Sequence, residues 1–555
     1  MSRLPTEAAF FMRFLFPFLL VFYSLSSEAQ SFTRLDTLRG FPSKERICYD
    51  VLSYDLVVSP DLKALSLDGT NLIRFKVLKR TKVIQVDLQP PMTLQQVLWN
   101  QRQIPVVRDL SACFIHFPEW LEPDEIHEVS IHFSGRMRKA LNPPWDGGFV
   151  FQKDPNGKPW LGVACQGLGA SSWWPCKDHL SDEPDEMTIS VDAPYGLMAV
   201  ANGTLVQKIS MENKLRWVWK VHYPINTYNV TLNIGDYEFW SDTLFMDNQK
   251  PLPLRYYVLR SHLLQAKKHF QQVKPILRCF EKLMGPYPFP KDGFALVETA
   301  YLGMEHQSAI AYGNQFNIGY LGYDRSGLGL DFDFIIAHET AHEYWGNHVS
   351  TVDQADLWIH EAFATYTEAM LVECLYGKAF AEVYVQSWRA DVQNKKPMLP
   401  PYHVNAQPPT DIYYKGALML HTLRHFIQNE ETWQHLWLAL QKEFGMKTTT
   451  TQVFTDFISS YLKTDLTWFF DHYLKWSGPP VFEYQLEKRQ NQWHLGYRWH
   501  TVYTDFRLPI QISLDGMNWQ TISPDTTLAW MPVPDKFIEI DTTKGYFLVR
   551  KITRR

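Results

Sequence analysis

The chain has 555 residues, of which 45% are hydrophobic and 20% charged. This is a globular composition with length for several domains, and it excludes a disordered or low-complexity protein. A net charge of −5, from 54 Lys and Arg against 59 Asp and Glu, argues against a nucleic-acid partner.

Residues 1–29 read as an export signal. Arg13 precedes the apolar run Phe14–Tyr23, and Ser27-Glu28-Ala29 puts small residues where a signal peptidase cuts, before Gln30. Met12 with Arg13 would make a compact start of its own. The run is short for the ~20 residues of a membrane span, so a retained anchor is the lesser reading and the mature chain should hold no stable span. No Cys stands at the cut, which argues against a lipoprotein. The expected location is periplasmic or secreted.

Residues 30–245 show period two, the mark of a β-rich domain. Ile73, Phe75 and Val77 alternate with Arg74 and Lys76; Ile84, Val86 and Leu88 alternate with Gln85 and Asp87. Asn202-Gly203-Thr204 and Asn229-Val230-Thr231 are glycosylation sequons in a host that glycosylates. Of the six cysteines, Cys165 and Cys176 are close enough in sequence to pair; buried thiols are the other reading.

Residues 246–477 turn to a helical period, as in Val453, Phe454, Phe457, Ile458, Tyr461 and Leu462. Gly478-Pro479-Pro480 stops the helices, and 478–555 is β again. There Phe506, Leu508, Ile510, Ile512 and Leu514 alternate with polar residues, and Asp515-Gly516 predicts a hairpin before Trp519. The expected fold class is multidomain α+β.

The most informative stretch is His338-Glu339-Thr340-Ala341-His342, followed after an eighteen-residue spacer by Glu361. Four residues apart on a helix, His338 and His342 share a face and can bind one ion. Glu361 opens a second apolar segment, and two antiparallel helices joined through Gly346–Asp356 would return it to that ion. Two His and one carboxylate leave zinc with an open position, the pattern of a catalytic site. Glu339 is then the natural general base.

The spacing from His338 to Glu361 resembles that of the gluzincin aminopeptidases, the group containing aminopeptidase N and leukotriene hydrolase. Gly303-Met304-Glu305-His306 resembles the family's G-x-M-E-N motif, and Tyr413-Tyr414-Lys415-Gly416 its Y-E-K-G. Gln166, upstream of Pro175-Cys176, resembles the segment that sends a glutamine from the first domain into the site. The resemblance covers nearly the whole chain. It implies a saddle-like N-terminal β domain, a thermolysin-like, mainly helical catalytic domain and a small C-terminal β-sandwich-like domain. It departs at His306 for Asn, His360 for Asn and Tyr414 for Glu, changes expected to touch substrate preference only. The short C-terminal segment leaves no room for the long helical domain of larger relatives, which implies that their enclosed peptide chamber is absent.

The implied activity is hydrolysis of the N-terminal peptide bond of peptides with one Zn2+. Glu305 would bind the free α-ammonium and Tyr413 would donate to the oxyanion. Gln166 would hold the amine or first carbonyl, and the backbone of Gly303 and Met304 the peptide. Glu368 would support the metal ligands. Three alternatives stay open: a zinc endopeptidase, an epoxide hydrolase of the leukotriene type, and an exported binding protein that kept the fold. The preferred first residue and oligomeric state are not encoded in these motifs.

Overall fold

The computed structural model describes residues 32–245 and 250–553. The candidate export signal lies outside the described residues. Among those described, no helix is long and apolar enough to cross a membrane.

The N-terminal domain is built on an eight-stranded sheet. Its centre follows the alternation closely. In Ser66–Val77, Leu67, Ile73, Phe75 and Val77 are buried while Arg74 is exposed. This strand pairs antiparallel with Tyr49–Asp61 and with Ile126–Arg136. Tyr49–Asp61 runs parallel to Glu186–Pro194. A four-stranded sheet of Gly148–Lys153, Pro159–Ala164, Leu232–Gly235 and Met198–Ala201 lies nearer the site, followed by the Gln166 segment.

The strand Thr81–Asp87 departs from simple alternation. Gln85 and Asp87 are as buried as Ile84 and Val86. Their polarity is met inside. Arg46 Nη2 donates to Asp87 Oδ2 at 2.7 Å and Gln85 Nε2 to Asp87 Oδ1 at 2.9 Å. Breaking such a buried pair by removing one partner costs about 3–5 kcal/mol, because the other charge is stranded.

The second domain opens with a five-stranded sheet: Tyr237–Leu244, Leu252–Leu259, Phe294–Glu298, Ile310–Tyr312 and Gly303–Met304. Tyr237–Leu244 falls before the expected boundary at 245, yet it pairs along its full length with Leu252–Leu259. Stacking of Phe239 on Tyr257 and of Trp240 on Tyr256 fixes that pairing. The strand Tyr237–Leu244 is thus part of the first sheet of the catalytic domain, ahead of the expected boundary. Helices follow, among them Val273–Met284, Phe334–Ala341, Trp358–Tyr376, Lys378–Ser387 and Tyr414–Ile427. In the later helix Thr451–Tyr461 the apolar stripe is narrower than the sequence suggests. Phe454 and Ile458 are buried, whereas Val453 and Tyr461 are exposed.

The disulfide joins Cys279 to Cys374, with Cα atoms 6.1 Å apart, and ties Val273–Met284 to Trp358–Tyr376. Cys165 and Cys176 do not pair; both are buried thiols, as are Cys48 and Cys113.

The C-terminal domain holds a four-stranded sheet around Val481–Arg489 and Gln492–His500, and a three-stranded one around Ile510–Ser513. The hairpin from Ile510–Ser513 to Trp519–Ile522 turns at Asp515-Gly516, with Gly516 at φ +78°. Phe506 and Leu508, expected on that strand, precede it and are buried. Phe506 packs edge-on against Trp468 of the catalytic domain. Phe482, Trp499 and Phe547 belong to one core with the catalytic helices. The described chain thus has two main apolar cores for three sequence-defined domains.

Candidate metal centre

Asp333 starts the motif helix Phe334–Ala341 by accepting from the Ile335 and Ile336 amides. The same carboxylate accepts from the Tyr312 hydroxyl and from the Asn314 amide, so the helix start is pinned to the sheet. One turn on, His338 and His342 face each other with Nε2 atoms 3.2 Å apart. Glu361 comes from the first turn of Trp358–Tyr376. The connecting segment is more than a loop: Val349–Thr351 pairs with Lys447–Thr449. Glu361 Oε2 lies 3.7 Å from His338 Nε2 and 3.3 Å from His342 Nε2.

These three atoms suit zinc. Ligands at about 2.0–2.1 Å in tetrahedral array stand roughly 3.3 Å from one another. The outer nitrogens are already committed. His338 Nδ1 pairs with Glu368 Oε1 at 2.7 Å and His342 Nδ1 with the Trp345 carbonyl at 2.8 Å. Glu368 Oε2 in turn accepts from the Tyr384 hydroxyl at 2.8 Å. Such partners hold Nε2 free and aimed inward. Glu361 Oε2 is buried without a hydrogen-bond donor, which a cation would satisfy. Charge points the same way. Burial favours neutral imidazoles, but Glu361 and Glu368 hold His338 well above its usual range, and Glu361 lifts His342 to about 9. Glu361 itself stays well below the carboxylate range against burial, because His342 and His338 face it. The cluster demands positive charge.

Glu339 lies beside it, and burial pushes its carboxyl up to about 8. Gly303, on the edge strand Gly303–Met304, passes close against Glu339. A Cβ at Gly303 would stand 2.5 Å from Glu339 Oε1, so only glycine lets this strand pass. Tyr413 donates its hydroxyl to Glu361 Oε1 at 2.9 Å. Burial first, then the surrounding carboxylates, raise it well above the usual tyrosine range, so it stays a donor. Tyr414 points elsewhere, stacked on Trp388 and under Arg325. In the same motif Lys415 donates to the carbonyls of Trp476 and Ser477, and Gly416 lets Tyr414–Ile427 close on Ala362.

Glu305 faces the cluster from the opposite side. Gln166 Nε2 donates to Glu305 Oε1 at 2.5 Å and reaches Glu361 Oε1 at 3.4 Å. Carboxylate atoms of Glu305 and Glu339 and a ring nitrogen of His342 lie within 4.8 Å of one another. Residues that sequence reasoning passed over cradle Glu305. Its carbonyl accepts from Asn229 Nδ2 at 2.8 Å and Asn347 Nδ2 at 3.0 Å. Asn202 Nδ2 donates to the carbonyls of Asn229 and Gln307. Both sequon asparagines are therefore fully buried structural groups. Glu343 holds the same loop by accepting from the Ser308 amide and Asn347. Its position directly after His342 was the available signal.

His338, His342, Glu361, Glu339, Glu305 and Tyr413 line a cleft of about 360 Å3, which Gln166, Met304, Tyr320, Phe334, Arg325 and Tyr414 also border. His306 and His360 do not border it. His306 is buried with neither ring nitrogen hydrogen-bonded, and burial holds it neutral, down to about 3. His360 Nε2 pairs with Thr351 and His348 Nδ1 with Gln441. Of the three departures only Tyr414 reaches the cleft wall, so the expected effect of His306 and His360 on substrate preference finds no contact to act through.

Residues 51–229 match the peptidase M1 N-terminal domain and 269–473 the peptidase family M1 domain. Glutamyl aminopeptidase of Bitis rhinoceros is 25% identical over 403 residues, 68% of this chain and 41% of its own length. Leukotriene A-4 hydrolase of Xenopus laevis is 24% identical over 324 residues, 55% of this chain and 50% of its own. The chain thus spans at most half of either relative. A Deinococcus radiodurans M1 zinc metallopeptidase variant bound to a Tyr-Ser-Ala substrate has the same fold, with TM-score 0.66 and 20% identity over 79% of this chain and 96% of that one. With both M1 domains matched in order, the chain belongs to the M1 family of zinc metallopeptidases.

Proposed function

We propose that this protein is an exported zinc aminopeptidase that removes the first residue of peptides with a free N-terminus, using one ion held by His338, His342 and Glu361. The observation that carries the reading is Glu305, a buried carboxylate set against the metal ligands on the cleft wall. In a peptide the α-nitrogen and the first carbonyl carbon are about 2.5 Å apart. An α-ammonium on Glu305 and Gln166 therefore brings the first carbonyl, and no later one, to the ligands.

When bound, zinc supplies the Lewis acidity that hydrolysis at neutral pH needs. Glu339 takes the proton of the attacking water and delivers it to the departing amine. Tyr413 donates to the oxygen on which charge develops. Gly303 and Met304 offer the free edge of the five-stranded sheet, along which a peptide can lie extended.

A pair of peptides, one free and one N-acetylated, tests the reading. Strong preference for the free form, lost in Glu305→Gln, is expected. Equal cleavage of both by the parent chain points to an endopeptidase instead. Export is supported by the apolar run at Phe14–Tyr23 and by the Cys279–Cys374 disulfide, which an oxidising compartment favours. Thiol titration of denatured protein purified without reductant should find four thiols, since four cysteines are free; six would remove that support.

A further inference from the structure

A second histidine pair repeats the spacing of the first. His421 and His425 lie four apart on Tyr414–Ile427, and Glu382 faces them from Lys378–Ser387. Their ring centroids are 4.5 Å apart at 78°, against 4.8 Å and 83° for His338 and His342. The Glu382 carboxylate divides between them. Oε2 lies 3.5 Å from His421 Nε2 and Oε1 lies 3.5 Å from His425 Nε2. One donor atom from each residue falls within 4.8 Å of the other two.

Two observations set this cluster apart from an ordinary buried ion pair. His425 Nε2 is buried with no hydrogen-bond partner. At 3.5 Å it is too far from Glu382 for a good hydrogen bond, yet at the spacing of two ligands on one ion about 2.0–2.2 Å from each. Second, His421 Nδ1 lies 3.2 Å from the Tyr366 hydroxyl, an outer partner that orients the ring as ligating imidazoles require. His421 Nε2 stands 3.1 Å from the Thr543 carbonyl of the C-terminal domain and donates to it, a bond that an ion at that nitrogen would replace. Neighbouring cations are already paired: Arg424 with Glu373 and Glu430, and Lys378 with Glu430. Glu382 and His425 border a cleft of about 390 Å3 between the catalytic helices and the C-terminal domain, which gives an ion entry and room for water.

We propose that Glu382, His421 and His425 form a second metal site, for a divalent transition cation of the zinc class, at the joint between the catalytic helices and the C-terminal β domain. Imidazole with carboxylate, and no thiolate, selects such ions over Mg2+ and Ca2+. The site is not hydrolytic. Where the first pair has Glu339, this one has Thr422, whose hydroxyl donates to the Leu418 carbonyl and accepts from the Tyr546 amide. Its ion ties two domains together.

The test is a metal count on the full-length protein after equilibrium dialysis against buffered micromolar free Zn2+. His425 lies near the end of its helix, and His425→Gln removes one ligand; Glu382→Gln removes another from a different helix. Each variant should bind one zinc fewer per chain than the parent, with its circular dichroism unchanged. Added Zn2+ should also raise the melting temperature of the parent more than that of folded Glu382→Gln. The comparison reads the difference between parent and variant, so it is independent of occupancy at His338 and His342. Equal zinc counts in the parent and in both folded variants overturn the proposal.

Discussion

The two histidine pairs share a spacing, a ring geometry and a facing carboxylate, yet only one is surrounded by chemistry. Around His338 and His342 the outer nitrogens meet a carboxylate and a main-chain carbonyl. Around His421 the outer nitrogen meets only a tyrosine hydroxyl. The first pair has the buried Glu339 carboxylate one residue on, the Tyr413 hydroxyl from the start of Tyr414–Ile427 and the Glu305 carboxylate just past the edge strand Gly303–Met304. The second has Thr422, already spent on its own backbone. A metal triad is thus an inexpensive product of two histidines one turn apart and a neighbour's carboxylate. Catalysis needs groups from separate elements converging on the ion's open side.

That contrast is broken most directly at Glu339. Glu339→Gln should lower kcat by ~10²–10⁴-fold with zinc content unchanged, since the variant keeps every ligand. Steady-state kinetics on aminoacyl-arylamides with parallel metal analysis checks it; retained turnover moves the base elsewhere. Tyr413→Phe comes next, with ~10²–10³-fold lost from kcat and little change in KM, because its hydroxyl acts on charge that develops only during reaction. A rise in KM alone would make Tyr413 a binding group. Glu368→Gln should weaken zinc at the first pair by ~10–100-fold, with activity restored at saturating zinc. The smallest effect belongs to the second pair: Tyr366→Phe should weaken zinc there by less than ~10-fold, because a hydroxyl orients its histidine less firmly than a carboxylate does. Competition against a chelator of known affinity measures both constants, and equal losses would erase the distinction drawn between the pairs.

Much of this was legible in the chain. Spacing alone placed His338 and His342 on one helix face, because a helix repeats every 3.6 residues whatever surrounds it, and the apolar segment after Glu361 marked a second helix. Alternation placed Ile73, Phe75 and Val77 inward. Partners were not legible. The residues of Tyr237–Leu244 do not say which strand they join, and only the pairing with Leu252–Leu259 ties them to the sheet of the catalytic domain. Cys279 and Cys374 are 95 positions apart on two helices, and only the packing of those helices brings them together. Buried polar groups were misread in both directions. Gln85 and Asp87 looked like a solvent face until Arg46 supplied their partner. His306 and His360, expected to touch substrate preference, sit beside motif residues but do not border the cleft, and adjacency along an element says little about which side a residue faces.

The burial of Asn202 and Asn229 has a practical consequence for making the protein. Oligosaccharide transferase acts on an emerging chain before it folds, and both asparagines stand in acceptor sequons. A sugar on Asn229 cannot coexist with the bond it makes to Glu305 in a site with no solvent access. Secretion through a yeast or animal cell would therefore yield modified chains that cannot close the loop carrying Glu305. A bacterial host avoids that trap, and the glycan occupancy of eukaryotic material becomes a direct readout of how much of it has failed to fold.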